Sequence, residues 1–84
     1  GGVVMLTVNA RSLKEWRSHL DILKSLPPVD QLSIIQLASK GGLIRIKLSG
    51  SITSLNYALE AYGLEVAEER QNDQTYLSLA RIID

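Results

Sequence analysis

The chain has 84 residues, no cysteine, and nine acidic side chains balanced by nine basic ones. A chain of this length forms one small domain, residues 1–84, whose core is built from Leu, Ile and Val because phenylalanine is absent. The lack of cysteine excludes a disulfide, a thiolate nucleophile and a zinc–thiolate site, and zero net charge gives no general attraction to nucleic acid or anionic lipid. No apolar run approaches about 18 residues, so we expect no membrane insertion.

The first third of the chain predicts a strand followed by a helix. Residues 3–8 are apolar and rich in valine, which favours a strand with three residues facing a core: Val4, Leu6 and Val8. Ser12 and Glu15 match a capping box at the start of the helix. The apolar residues of this helix fall on one face: Leu13, Trp16, Leu20 and Leu23. Pro27-Pro28 ends the helix, since proline cannot continue the hydrogen-bond ladder.

The middle of the chain predicts a β-hairpin. Residues 29–39 form its first strand, and the break in alternation at Ile34-Ile35 indicates either a bulge or burial on both faces. The second strand covers residues 41–50, where apolar residues alternate with Arg45, Lys47 and Ser49. Lys40-Gly41-Gly42 is predicted as the short connection that leads into the second strand.

The last third predicts a second helix and further strands. Ser51 caps the helix and Gly63 ends it, and one face carries the apolar residues Ile52, Leu55, Ala58, Leu59 and Tyr62. A short strand over 64–66 follows. Residues 68–74 are polar and typical of a turn, and residues 75–83 form the final strand.

The order β-α-β-β-α-β is typical of the ferredoxin-like fold, an α+β sandwich. We therefore expect an antiparallel sheet with both helices on one face, and with the first and third strands in the middle. An additional hairpin is expected at the C-terminus. Trp16 and Tyr62 are the aromatic residues expected in the core.

The second strand carries the candidate interaction site, because this topology places it at a sheet edge. It has no charged residue over 32–38, although edge strands are normally protected by lysine, proline or a covering element. One interpretation is that a bulge or another part of a longer chain covers the edge. The other is a pairing edge for a protein partner or a second copy, through Leu32, Ser33, Ile34, Ile35, Gln36 and Leu37.

Arg11 is a further candidate, for binding an anion. It directly precedes the first helix, where free backbone amides attract negative charge. The position resembles the phosphate-binding loop of acylphosphatases, which share this topology, but residues 8–11 contain no glycine. A solvated arginine beside a capped helix is the alternative interpretation.

The remaining polar residues do not form a catalytic or metal-binding pattern. His19, the only histidine, lacks a set of further ligands at helical spacing and a serine positioned for a triad, so we interpret it as a residue at the edge of the core. Arg45 and Lys47 would face solvent on the open side of the sheet, but the first strand and their own strand lack the aromatic residues with which RNA-binding domains stack bases. We expect no cofactor, no metal and no nucleic-acid partner.

The chain also resembles a known family over roughly residues 8–80. The resemblance is carried by Ser12-Leu13-Lys14-Glu15-Trp16 with Leu20, Leu23 and Leu26, by Pro28-Val29, by residues 43–50, and by residues 55–59 with Gly63-Leu64. These are similar to the C-terminal region of the bacterial domain-of-unknown-function family twenty-sixty-six. Members of that family are typically exported through a signal peptide and have no established activity. The resemblance implies a periplasmic location and supplies no catalytic residues.

These observations predict a non-enzymatic interaction or assembly domain of a bacterial envelope protein, which works through a sheet edge or the open sheet face. A small-ligand-binding regulatory domain of ferredoxin-like fold is the alternative, although residues 9–11 lack the glycine-rich loop that such domains generally use. Acylphosphatase-like hydrolysis at Arg11 is a third hypothesis. Gly1-Gly2 without an initiator methionine indicates a trimmed or tagged fragment of a longer protein.

Overall fold

A computed structural model describes residues 2–82 of the chain, except for the side chains of residues 69, 71, 74 and 75. Over this range the protein has five strands and two helices: β1 (Gly2–Asn9), α1 (Leu13–Ser25), β2 (Val29–Ala38), β3 (Gly41–Leu48), α2 (Ile52–Glu60), β4 (Leu64–Gln71) and β5 (Gln74–Arg81). The protein is therefore an α+β domain, as the order of elements predicts.

The sheet has the strand order β2-β3-β1-β5-β4, which differs from the ferredoxin-like order. The prediction of an antiparallel sheet is wrong at one pairing, because β1 runs parallel to β5 with Leu6 opposite Leu77 and Val8 opposite Leu79. The other three pairings are antiparallel. The additional C-terminal hairpin is present, but its second strand, and not its first, lies beside β1.

The composition of the two C-terminal strands explains this arrangement. β5 has no charged residue before Arg81, whereas β4 has four: Glu65, Glu68, Glu69 and Arg70. The uncharged strand takes the interior position, where Leu77 and Leu79 are buried, and the charged strand takes the edge. Because the hairpin reverses the chain, β5 then runs parallel to β1.

The turn of this hairpin is shorter than the predicted polar stretch. β4 continues to Gln71, and Asn72 and Asp73 form the turn with φ angles of 51° and 66°. Two consecutive residues with positive φ are typical of a type I′ turn, whose twist matches that of the strands that it joins. β5 ends at Arg81, so Ile82 of the predicted final strand lies beyond it, and residue 83 lies outside the described residues. The connection between β2 and β3 is also shorter than predicted, because Gly41 and Gly42 already belong to β3.

Both helices lie on one face of the sheet, as predicted, and cover a single core. Alternate residues of β1 and β3 point toward the helices, which is the arrangement that their period of two indicates. The core residues, each less than a tenth exposed, are Leu6, Val8, Ala10, Trp16, Leu20, Leu23, Leu26, Ile44, Ile46, Leu48, Leu55, Leu59, Leu64, Val66, Leu77 and Leu79.

Two residues predicted for the buried helix faces are exposed instead. Leu13 is 62% exposed and Tyr62 is 51% exposed. Leu13 is the first residue of α1 and lies about 50° from the centre of its buried face, at 100° per residue. Tyr62 comes two residues after the end of α2, so helical geometry no longer directs its ring toward the sheet.

The predicted capping serines are confirmed at both helices. The Ser12 Oγ accepts a hydrogen bond from the Glu15 backbone N–H at 3.1 Å, and the Ser51 Oγ accepts one from the Ser54 N–H at the same distance. In a capping box the Glu15 carboxylate would accept a hydrogen bond from the backbone N–H of Ser12, but here the donor is one residue earlier. The Glu15 carboxylate accepts from the backbone N–H of Arg11 at 3.2 Å.

Replacing Ser12 by alanine should lower the free energy of unfolding by about 1 kcal/mol, because an amide of the first turn loses its acceptor. Urea denaturation measures this loss. Ser12→Asp keeps a capping oxygen and should stay within about 0.5 kcal/mol of the wild type. Equal losses for the two variants would mean that the side-chain cap does not stabilise α1.

Candidate functional site

β2 occupies one edge of the sheet, as predicted, so one side of its backbone has no partner strand among the described residues. Most of its side chains are exposed, and only Val29 and Leu32 are partly buried. Its large apolar side chains include Ile34, Ile35 and Leu37, which are 48%, 50% and 61% exposed. The six predicted residues, 32–37, therefore lie together along an accessible strand, which we call the β2 edge.

A bulge in β2 brings two of these apolar side chains to the same face. The pairing with β3 shifts by one residue between Ile34 and Gln36, which confirms the predicted bulge. The alternative, burial on both faces, is wrong because Ile34 and Ile35 are about half exposed. Ile34 lies opposite Ile44, and Leu37 lies opposite Gly42. Because residues 42 and 44 share one face of β3, Ile34 and Leu37 both lie on the helix-bearing side of the sheet.

The two edges of the sheet differ in charge. β4 has four charged residues out of eight, which is a usual protection of an edge strand against unwanted pairing. Residues 31–39 carry no charge, and the nearest charged side chains are Asp30, at the start of β2, and Lys40, just after its end. β2 therefore lacks the charged side chains that protect β4.

Arg11 lies at the start of α1, where the sequence places it, and its guanidinium is paired. Its Nε donates a hydrogen bond to Glu15 Oε2 at 3.3 Å, and its Nη2 lies 3.3 Å from the same oxygen. The backbone N–H groups of Arg11 and Glu15 are also engaged, by the Glu15 carboxylate and by Ser12. An anion at this helix end would have to compete with Glu15.

Glu15 is also the centre of a charged cluster that the sequence analysis missed. Its Oε1 lies 3.7 Å from His19 Nε2, and its Oε2 lies 3.6 Å from Nη2 of Arg81 at the end of β5. The Arg11 backbone N–H that bonds to the Glu15 carboxylate, with the Arg11 guanidinium beside it, holds the pKa of Glu15 below its ordinary value. The four-residue spacing of Glu15 and His19 could have indicated their contact. The position of Arg81 depends on the parallel pairing of β5, for which the sequence gives no local signal.

The charged cluster borders an open cleft of about 510 Å³ between α1 and the turn at residues 62–64. His19 is 13% exposed, and its Nδ1 is buried without a hydrogen-bond partner among the described residues. A carboxylate beside an imidazole can orient a general base, but hydrolysis also needs a nucleophile and oxyanion donors around one point. The contacts of Glu15 join α1 to the end of β5, and they therefore have a structural role.

Arg45 and Lys47 lie exposed on the open face of the sheet, opposite Met5 and Val3 of β1. Tyr76 on β5 also reaches this face and is 48% exposed. The predicted order of strands does not place Tyr76 beside β1, because it does not make β5 the neighbour of β1. Sheets that bind RNA stack bases on two or three aromatic side chains and carry positive charge, whereas this chain has a net charge of zero.

Residues 2–82 also bear on two other features, a metal site and a membrane-spanning helix. Within this part of the chain, no three histidine, aspartate or glutamate side chains come together as ligands for a metal ion. Neither α1 nor α2 has the length and apolar composition that a helix needs to cross a lipid bilayer.

Comparisons with known proteins find no match to this chain among the models of protein families, the curated proteins or the solved structures. The family resemblance therefore rests on the residues that carry it in the sequence. The β2 edge and the Glu15 cluster are the two features of the structure that bear on function.

Proposed function

We propose that this protein is a non-enzymatic interaction domain, which binds another protein strand at the β2 edge. The proposal is carried by one observation, an edge strand that carries no charge after Asp30 and whose side chains Ile34, Ile35 and Leu37 are 48%, 50% and 61% exposed. In strand addition, main-chain hydrogen bonds supply affinity and the side chains of alternating residues supply specificity. The β2 edge offers both kinds of contact.

The size of this surface sets the expected strength of binding. Apolar area removed from water contributes about 25 cal/mol per Å², and stable protein complexes bury at least about 1,200 Å² in total. A single strand buries less than this area. We therefore expect the β2 edge alone to support a reversible contact, which neighbouring surfaces of a larger assembly strengthen.

The family resemblance favours the bacterial periplasm as the place of this interaction, within an envelope protein. Zero net charge supports a protein partner, because neither nucleic acid nor an anionic lipid surface would gain from counterion release. We propose no catalytic activity, since the carboxylate beside His19 is already engaged by Arg11 and Arg81.

A small-ligand-binding regulatory domain is the second candidate, and the cleft beside His19 favours it. The cleft holds about 510 Å³ and brings an imidazole, whose Nδ1 has no hydrogen-bond partner in the described part of the chain, near the charges of Glu15 and Arg81. A thermal-shift screen of small anions and amino acids tests this candidate, because a bound ligand raises the midpoint of unfolding by mass action. No shift with any of them would remove it.

A photoreactive amino acid at position 37 should form a covalent adduct with the partner in the periplasm of a bacterial host. Leu37 is 61% exposed and lies within the β2 edge. Position 13 is a matched control, because Leu13 is 62% exposed but lies on α1. Gel electrophoresis detects the adducts and mass spectrometry identifies them. Adducts of equal yield from both positions, or none from position 37, would count against the β2 edge.

A further inference from the structure

We propose that the strand added at the β2 edge is β2 of a second copy of this chain, antiparallel across a two-fold axis. This inference rests on the proposed function and names its partner. Two five-strand sheets would join into one continuous sheet, with the two β2 strands at its centre. Three features of β2 favour a second copy: its charges, its apolar face and its backbone.

The charges at the two ends of β2 are complementary in an antiparallel pair. Asp30 lies at the start of the strand, Lys40 follows its end, and the residues between them are uncharged. When two such strands pair around a centre near Ile35, the start of one faces the end of the other. Each Asp30 then lies near Lys40 of the second copy, and opposite charges across a strand pair attract. A parallel pair would instead bring like charges together at both ends.

The apolar face of β2 is complementary to itself as well. Ile34 and Leu37 flank the bulge and share the helix-bearing side of the sheet, where they are 48% and 61% exposed. A two-fold axis close to Ile35 and Gln36 places Ile34 of each copy beside Leu37 of the other. The four side chains then form one apolar cluster across the axis, which removes them from water.

The backbone of β2 is regular next to the bulge at Ile35, and a second register shift lies at the start of the strand, between Val29 and Gln31. Residues 31–34 and 36–38 each keep a continuous register with β3, so the outward N–H and C=O groups alternate normally within both stretches. Across the two-fold axis, the first stretch of one copy faces the second stretch of the other. The bulges at Ile35 of the two copies then meet at the centre of the pair, and the second register shift of each strand lies at its outer end, beside Asp30.

Sedimentation equilibrium of the 84-residue chain at low salt should show a reversible equilibrium between monomer and dimer. Asp30→Lys should weaken the dimer about tenfold, because it places two lysines together at both ends of the strand pair. Lys40→Asp should weaken it by a similar factor. The double variant exchanges the two charges, and its dissociation constant should return to within about threefold of the wild-type value.

Leu37→Lys should weaken the dimer by more than about tenfold, since it brings charge into the apolar cluster. Leu13→Lys makes the same change at a residue of matching exposure, 62% against 61%, and should leave the dimer unchanged. Circular dichroism verifies that all of these variants are folded.

If the wild-type chain stays monomeric at millimolar concentration, the partner at the β2 edge is not a second copy of this chain. A charge-exchanged variant that binds no more tightly than the single variants overturns the second copy too. If position 37 nevertheless cross-links to a different protein, the interaction at the β2 edge stands and only the second copy is wrong. If position 37 forms no cross-link at all, the proposed function fails as well.

Discussion

Replacing Trp16 by alanine should lower the free energy of unfolding by about 3–5 kcal/mol, which is the usual loss for a buried tryptophan. The indole is 5% exposed and lies within the core between α1 and the sheet. It also approaches the start of β3, where a Cβ added at Gly42 would lie 2.9 Å from the Trp16 Cη2. The alanine variant leaves a cavity among leucine and isoleucine side chains, and the surrounding structure would close it only in part.

Urea denaturation measures the loss at Trp16, with Leu13→Ala as the control on the same helix. Leu13 is 62% exposed, so its truncation should change the free energy of unfolding by no more than about 0.5 kcal/mol. Small domains have only about 5–15 kcal/mol of stability in total, so Trp16→Ala should remove a large part of it. A loss below about 1 kcal/mol at Trp16 would mean that α1 presents a different face to the sheet.

Gly41→Ala should lower the free energy of unfolding by about 2–4 kcal/mol, although it adds a single methyl group. Gly41 begins β3 with a φ of 137°, a conformation that residues with a side chain rarely adopt. An added Cβ would contact the carbonyl oxygen of Val8 and lie 2.9 Å from the Cα of Asn9. Both are backbone atoms of β1, which is paired with β3 along its whole length.

Gly63→Ala separates the two causes of the loss at Gly41. Gly63 also has a positive φ, of 70°, but the described atoms leave open space where its Cβ would lie. Its replacement should cost about 1 kcal/mol, from the backbone conformation alone. The difference between the two variants in thermal or urea unfolding measures the contact with β1 together with the greater backbone strain of a φ of 137°. Equal losses would mean that β1 moves aside without a measurable change in stability.

Features that depend on neighbouring residues could be predicted from the sequence. The caps at Ser12 and Ser51 are local because each serine hydroxyl accepts a hydrogen bond from the backbone N–H three residues later in the chain. The bulge at Ile35 follows from the local break in alternation. The absence of charge that marks the β2 edge is local too, but its position at the edge of the sheet was inferred from the topology that the whole order of elements predicts.

Features that depend on distant pairings could not be predicted in this way. Whether β4 or β5 lies beside β1 depends on how the two strands compare with each other. The absence of charge in β5 was the one feature of the sequence that indicated the answer. That choice also decides which side chains meet Glu15 and which reach the open face. Arg81 and Tyr76 were therefore placed only by the structure, whereas His19 could have been assigned to Glu15 from helical spacing.

Amide hydrogen exchange, resolved by residue in the free and the associated protein, tests the binding role of the β2 edge most directly. Association should slow exchange at the outward amides of β2, because a partner strand replaces water as their acceptor. β4 lies at the opposite edge and serves as an internal control, whose amides should exchange at unchanged rates. Unchanged exchange in β2, or equal protection at both edges, would contradict the account.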